Sequence, residues 1–336
     1  MRALLTGFFS TVGDVDCLDV VRAHLDRLTF PYDVAPYRAP IRDAIAGAID
    51  LQELDPGRYS HLFVICGPCS PGLLESQGLD LARFAHCVRV GINLTMVEPV
   101  AKWNPFDILY ERDSERGAFP DLTFLAPATR RGVAGMCVIE KQPEYGSRQR
   151  HSEAIRALAA LARRNGLASI HVDTRWPASR NTGGLGSSDE VASVMARTDV
   201  VLTNRLHGMV YALKMGVPVV AIDSVAGGDK VSAQAAAIGW TQCFRVDDLD
   251  PEMLDQALAW CMSSEGRDAA VGVSERATAL LMQGGGRLPG HEALTRTKAG
   301  PLPQTPAGPF EDRSGNPRTR RPSVLKRVTR IFRGRP

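Results

Sequence analysis

Arginine and histidine stand two residues apart, as Arg205 and His207, in the stretch TNRLHGMVYALKMGVPVV, residues 203–220. Around them the stretch reads as the end of a buried strand, a short polar break, an apolar helix and a new strand. A guanidinium grips oxyanions in a fixed fork, and an imidazole near its ordinary pKa gives or takes a proton at neutral pH. If the helix starts at Leu206–Gly208, its first free amides add partial positive charge, and the group becomes an anion site. Gly208 lets a ligand or a neighbouring backbone come close. The plainer reading pairs Arg205 with a carboxylate such as Asp199 or Asp223 and leaves His207 to cap the helix.

Other residues compete for chemical roles. Lys230 opens a later helix, as a second anion ligand or as an ordinary solvated lysine. Lys141 and Arg148, in EKQPEYGSRQRH, follow a strand and either face the same cleft or are solvated loop charges. Cys66-Gly67-Pro68-Cys69 has the C-x-x-C spacing of thiol redox sites. Pro71 and Gly72, however, stand where a redox helix should run on, and no second cysteine pair makes a zinc site with it. It reads as a strand-end turn lining a cleft. Asn181–Ser188, NTGGLGSS, lacks the G-x-G-x-x-G spacing of a dinucleotide loop and reads as a mobile loop. No set of residues has metal-ligand spacing.

These residues need strand ends and helix starts to hold them, and the pattern supplies both. Ala3–Leu5, HLFVIC (61–66), RVGINLTMV (89–97), VAGMCVIE, ASIHVD, DVVLT and VPVVAID read as short buried strands. The stretches 11–28, 79–87, 104–114, 150–166, 187–198, 206–215, 230–239 and 250–264 read as helices, with a capping box at Ser187…Glu190. Alternating strands and helices make a parallel sheet with helices on both faces. The fold class is α/β, with two Rossmann-like domains at 1–128 and 129–268 and a cleft between them. In such sheets ligands sit beyond the C-terminal strand ends, where Arg205 and His207 fall.

Composition bounds the rest. Of 336 residues, 44% are hydrophobic and 23% charged, as in ordinary soluble proteins. The net charge is +3, yet residues 313–336 carry nine basic and no acidic residues, which leaves −6 on residues 1–312. The body is therefore not a nucleic-acid binder. Residues 284–336 are rich in Gly, Pro and polar residues and are expected to be disordered. Within them 323–333 places Val324, Leu325, Val328, Ile331 and Phe332 on one helical face and basic residues mainly on the other, a pattern suited to anionic lipid. Seven scattered cysteines, no signal-peptide pattern and no long apolar run imply a cytoplasmic protein with reduced thiols, peripheral to the membrane if the tail docks there.

Residues 200–239 resemble the signature of the polysaccharide pyruvyl transferase family. Arg205-Leu206-His207-Gly208, Gly216-Val217-Pro218, Lys230 and Gly239 follow in the family's order. Arg112-Asp113-Ser114 with Pro120-Asp121, and Gly13-Asp14 before a helix, resemble its upstream elements, with Thr11-Val12 where an Asn is usual. The likeness spans about residues 1–245. It implies a glycosyltransferase-B-like architecture and transfer of pyruvate from phosphoenolpyruvate to two sugar hydroxyls as a ketal, without metal or other cofactor. It further implies a glycan or lipid-linked oligosaccharide acceptor. On that reading Arg205, with Leu206 and Gly208 beside it, holds the donor's phosphate or carboxylate. His207 is the acid or a phosphate contact, and Lys230, Arg148 and Lys141 are further donor ligands. The alternatives are a glycosyltransferase using a nucleotide sugar, a non-catalytic anion-binding relative, and a thiol oxidoreductase.

Overall fold

A computed structural model describes residues 1–283; the tail at 284–336, with its 323–333 segment, lies outside the described residues. The chain forms two compact units, Met1–Thr129 and the part from Arg130 onward.

The first unit is built on β1 (Ala3–Gly7), α1 (Val12–Arg27), β2 (Tyr32–Val34), α2 (Ala39–Arg42), β3 (His61–Cys69), α3 (Pro71–Ser76), β4 (Val88–Met96), β5 (Ile108–Ser114) and β6 (Gly117–Ala118). Its sheet order is β2-β1-β3-β4-β5-β6, parallel except for the short antiparallel β6. Side chains alternate across the sheet. Leu4, Leu62 and Val64 therefore pack in one core and Ala3, Leu5 and Ile65 in another that includes Leu18 and Val21 of α1. The capping box of α1 is made by Thr11 and Asp14, so the Gly13-Asp14 element closes a helix start.

Three expectations change here. Residues 108–114 form a strand, not a helix, because they pair with the open edge of β4 in the register Val90↔Ile108 to Thr95↔Asp113. Phe106, Leu109 and Tyr110 happen to fit helical spacing, and sheet pairing overrides it. Leu79–Cys87 holds only a short 3-10 turn, Leu81–Phe84. The C-x-x-C is strand rather than turn: Gly67, Pro68 and Cys69 pair with Leu94, Thr95 and Met96 of β4. Cys66 packs in the core beside α1 and Cys69 in the core on the other face.

The second unit runs β7 (Val133–Cys137), α4 (His151–Arg164), β8 (Ala168–His171), α5 (Ser188–Met195), β9 (Val200–Thr203), α6 (Leu206–Lys214), β10 (Val219–Asp223), α7 (Lys230–Ile238), β11 (Cys243–Arg245), α8 (Pro251–Met262) and α9 (Ser264–Gln283). Its sheet is wholly parallel, in the order β11-β10-β9-β7-β8. Helices α4 and α8 are neighbours, and α5, α6, α7 and α9 form a second group. Met136, Leu158, Leu161, Met195, Leu202 and Ile222 fill the core. Trp240 lies buried over the sheet, its indole donating to Val219 O at 2.9 Å. Helix α9 crosses residue 268 and packs on α6 and α8, burying Ala270 and Val273. The α/β class with two Rossmann-like parallel sheets is thus what the chain adopts.

Candidate active site

The order β8-β7-β9-β10-β11 reverses direction between β7 and β9. The crevice beyond the carboxyl ends of two such strands is where open parallel sheets hold ligands. The sequence after each strand is tied down here by two polar residues. Thr203 Oγ1 donates to Cys137 O at 2.5 Å and accepts from Arg205 N at 2.9 Å. Asn204 clamps Ile139 from both sides, donating to its carbonyl at 3.0 Å and accepting its amide at 2.8 Å. Both residues are buried. Together they hold the chain extended up to Arg205, where α6 begins.

Arg205 is the N-cap residue of α6, and its side chain makes no capping bond to the helix. The first amides of α6 are left for another acceptor. The guanidinium is directed to Asp173 instead, Nη1 to Oδ1 at 3.2 Å, and not to Asp199 or Asp223. Asp199 accepts the Val133 amide, and Asp223 accepts the amides of Val225, Asp229 and Ser232, fastening the loop before α7. His207 is exposed on the first turn. Gly208 turns towards the sheet: a Cβ there would lie 2.3 Å from Thr203 Oγ1 and 2.9 Å from Cys137 Sγ. Its missing side chain serves helix–strand packing.

Arg205, Leu206, His207 and Lys230 line one cavity of about 140 Å³ together with Ile139 and Gln142. The Lys230 ammonium lies 5.4 Å from the centre of the Tyr145 ring. Arg148 does not line this cavity; it is exposed, lies 5.7 Å over the same ring and pairs with Asp229 at 3.5 Å. Lys141 lines a neighbouring cavity of about 310 Å³ with Glu140, Arg150 and His151.

Asp173, only 2% exposed, is the residue that sequence reading missed. It accepts from Arg175 Nε at 3.1 and 2.8 Å, from the Thr182 amide at 2.9 Å and from Thr182 Oγ1 at 3.1 Å. Burial alone would raise its pKa, but the bonds from Arg175 and Thr182 and the Arg175 charge hold it well below the usual carboxylate range. The signal was HVDTR itself, a strand running into a carboxylate and an arginine at the C-terminal rim. Asn181 ties the NTGGLGSS loop to the carbonyls of Asp173 and Arg175 at 2.9 and 3.1 Å, so its first half is anchored rather than loose.

The other candidates are structural. Burial pushes the Cys69 thiol up to about 12. The Cys17 sulfur and burial push Cys66 up further. Burial thus disfavours the thiolate at both sulfurs. The Arg112-Asp113…Asp121 segment is a bonded network: Arg112 donates to Asp113 at 2.9 Å and to Asp121 at 3.1 Å, and Asn93 donates to Asp121 at 3.2 Å. Among the described residues no group of three or more His, Cys, Asp or Glu is arranged to hold a metal ion. No helix among them is long and apolar enough to cross a membrane.

No curated protein matches the chain. Solved structures similar to it include a spinosyn rhamnosyltransferase complexed with thymidine diphosphate, at 12% identity over 85% of this chain and 100% of that one, TM-score 0.31. A UDP-GlcNAc 2-epimerase from Methanocaldococcus jannaschii follows at 9% identity, 84% and 100% coverage and TM-score 0.29. The E. coli heptosyltransferase WaaC with ADP has 16% identity, 77% and 97% coverage and TM-score 0.26. Residues 119–224, the stretch that carries Asp173, Arg205, Leu206, His207 and Gly208, match the polysaccharide pyruvyl transferase family.

Proposed function

We propose that the protein transfers pyruvate from phosphoenolpyruvate to two hydroxyls of a polysaccharide or its precursor, forming a cyclic ketal. The observation that carries this reading is the convergence of Arg205, His207 and Lys230 with the uncapped start of α6 on one cavity at the sheet's switch point. The donor has two anionic groups and three carbons. A cavity of about 140 Å³ suits it, being well below the ~300–1,000 Å³ typical of sites for larger ligands.

Arg205 and the α6 amides take one anionic group of the donor, and Lys230 takes the other. His207 delivers a proton to C3, turning the methylene into a methyl and leaving C2 electron-poor. One sugar hydroxyl adds to C2 and gives up its proton, which restores the one that His207 delivered. The C2–O bond to phosphate breaks, the second hydroxyl closes the ketal, and its proton leaves with the phosphate. The reaction so written calls for no metal and no further cofactor. The acceptor is a glycan or a lipid-linked oligosaccharide, and the basic 323–333 segment holds the enzyme near it at the cytoplasmic face of an anionic membrane.

Thermal unfolding with and without millimolar phosphoenolpyruvate, for the wild type and for Arg205→Ala, tests this reading. At a hundred times its dissociation constant the donor stabilises by ~2.7 kcal/mol. That is a rise of roughly 5–10 °C for a unit of this size. The rise should vanish in the variant. No rise in the wild type, or a rise with UDP- or GDP-sugars in its place, would move the assignment to a nucleotide-sugar glycosyltransferase. Stabilisation by the donor with no turnover on any glycan would mark a non-catalytic relative.

A further inference from the structure

A second cavity, of about 420 Å³, is lined by Thr174, Arg175, Trp176, Ser187, Ser188 and Tyr211 among others. Asp173 and α6 link it to the first. Asp173 Oδ1 accepts from Arg205 Nη1 at 3.2 Å and from Arg175 Nε at 3.1 Å, so one carboxylate oxygen joins an arginine of each cavity. Helix α6 also serves both, placing His207 in the smaller cavity and Tyr211, one turn on, in the larger.

The lining has a particular chemistry. Trp176 is 75% exposed, which is far from the usual state of a tryptophan. An indole held open to solvent offers a flat apolar face at low conformational cost. Around it are hydroxyls and one guanidinium edge. Ser187 Oγ accepts the Glu190 amide at 3.2 Å. Arg175 spends Nε and Nη2 on Asp173, leaving Nη1 free to donate.

The charge balance favours a neutral ligand. Arg175 is partly neutralised by its bidentate hold on Asp173, which also pairs with Arg205. The Ser187–Glu190 capping box takes up the amides of Ser187 and Glu190, and the carboxylates of Asp189 and Glu190 in the first turn of α5 oppose a phosphate. An apolar ring face with hydroxyl-sized donors at its rim matches a pyranose, which has C–H faces and an equatorial belt of hydroxyls. We infer that this cavity holds a sugar ring of the acceptor, stacked on Trp176 with its hydroxyls turned towards Arg175 and the donor cavity. This rests on the donor reading for its name as acceptor, but the binding claim stands on the cavity alone.

Isothermal titration calorimetry tests it. The wild type and Trp176→Ala are titrated with methyl α- and β-glycopyranosides of glucose, galactose and mannose, and separately with UDP. The thermal shift with phosphoenolpyruvate is recorded on the same samples. Because Trp176 is exposed, its removal should leave the melting temperature nearly unchanged. The expected result is a saturable response to at least one hexoside, weakened about tenfold or more in the variant, with the phosphoenolpyruvate shift intact in both. A hexoside response that survives in Trp176→Ala overturns the inference, as does the lack of any saturable hexoside response. Saturable UDP binding lost in the variant overturns it too, by making the cavity a nucleotide site. If the phosphoenolpyruvate shift alone is missing, the donor reading falls and the sugar site stands.

Discussion

Replacing Gly208 by alanine should destabilise the second unit, although alanine is the better helix former. The substitution gains up to ~1 kcal/mol of helix propensity. Against this, the new Cβ would sit 2.3 Å from Thr203 Oγ1, 2.9 Å from Cys137 Sγ and 3.2 Å from Cys137 Cβ. The threonine oxygen cannot retreat cheaply, since it donates to Cys137 O and accepts from Arg205 N. Overpacking costs ~1–3 kcal/mol. Rotating Thr203 away leaves a buried carbonyl and an amide unpaired at ~1–3 kcal/mol more. The net loss is about 2–4 kcal/mol, a fall of roughly 4–16 °C in the unit's melting temperature. Calorimetry with parallel urea titrations measures it. Thr203→Ala removes the obstructing oxygen, so the double variant should be more stable than the sum of the two losses predicts, with a coupling of ~0.5–3 kcal/mol. A Gly208→Ala protein within ~0.5 kcal/mol of the wild type, or two strictly additive losses, would refute the packing argument; surface-like changes have that size.

Stability should fall in two stages as pH drops. Burial pushes the pKa values of His151 and His171 down, so the unfolded chain takes up protons below its own value of ~6.5 while the fold refuses them. Stability that is complete above that pH drains as the pH falls towards 5. Asp173 and Asp121 are held below the unfolded value of ~3.9, so their contribution is complete above it and is lost only at stronger acidity. Urea midpoints against pH should show both limbs, and His171→Asn should flatten the first alone; a constant midpoint from pH 7 to 5 would count against the histidines. Under mild oxidation Cys66 and Cys69 should stay unlinked, because they lie in cores on opposite faces of the sheet. A peptide map showing a Cys66–Cys69 disulfide would contradict that placement.

The features legible in the sequence were those with local causes. Helix α4 declares itself by the 3.6-residue spacing of Ala154, Ile155, Leu158 and Leu161, all buried in the structure. The Ser187–Glu190 capping box is stated by two residues and found as stated. The cavity residues Arg205, Leu206 and His207 are contiguous, and Lys230 follows at the next helix start. What escaped was set by partners distant in sequence. Strand β5 exists because β4 has an open edge, and β2 is three residues long, below any periodic signal. Asp173 became visible only when the sheet order set β8 beside β7 and let Arg205 reach it across 32 residues. Arg148 points at Asp229 for the same kind of reason: the carboxylate that claims it lies 81 residues away.

Arg205 carries its counter-ion with it. Because Asp173 bonds one edge of the guanidinium, an anion arriving at the cavity meets a cation already half neutralised. Binding is weaker than at a bare arginine, yet at no moment during arrival or departure is the half-buried positive charge left without a partner. Under the proposed pyruvyl transfer, in which phosphate must leave in every cycle, the carboxylate would act as an internal exchange ligand. It would take up the field that the product gives up and so favour turnover over tight binding.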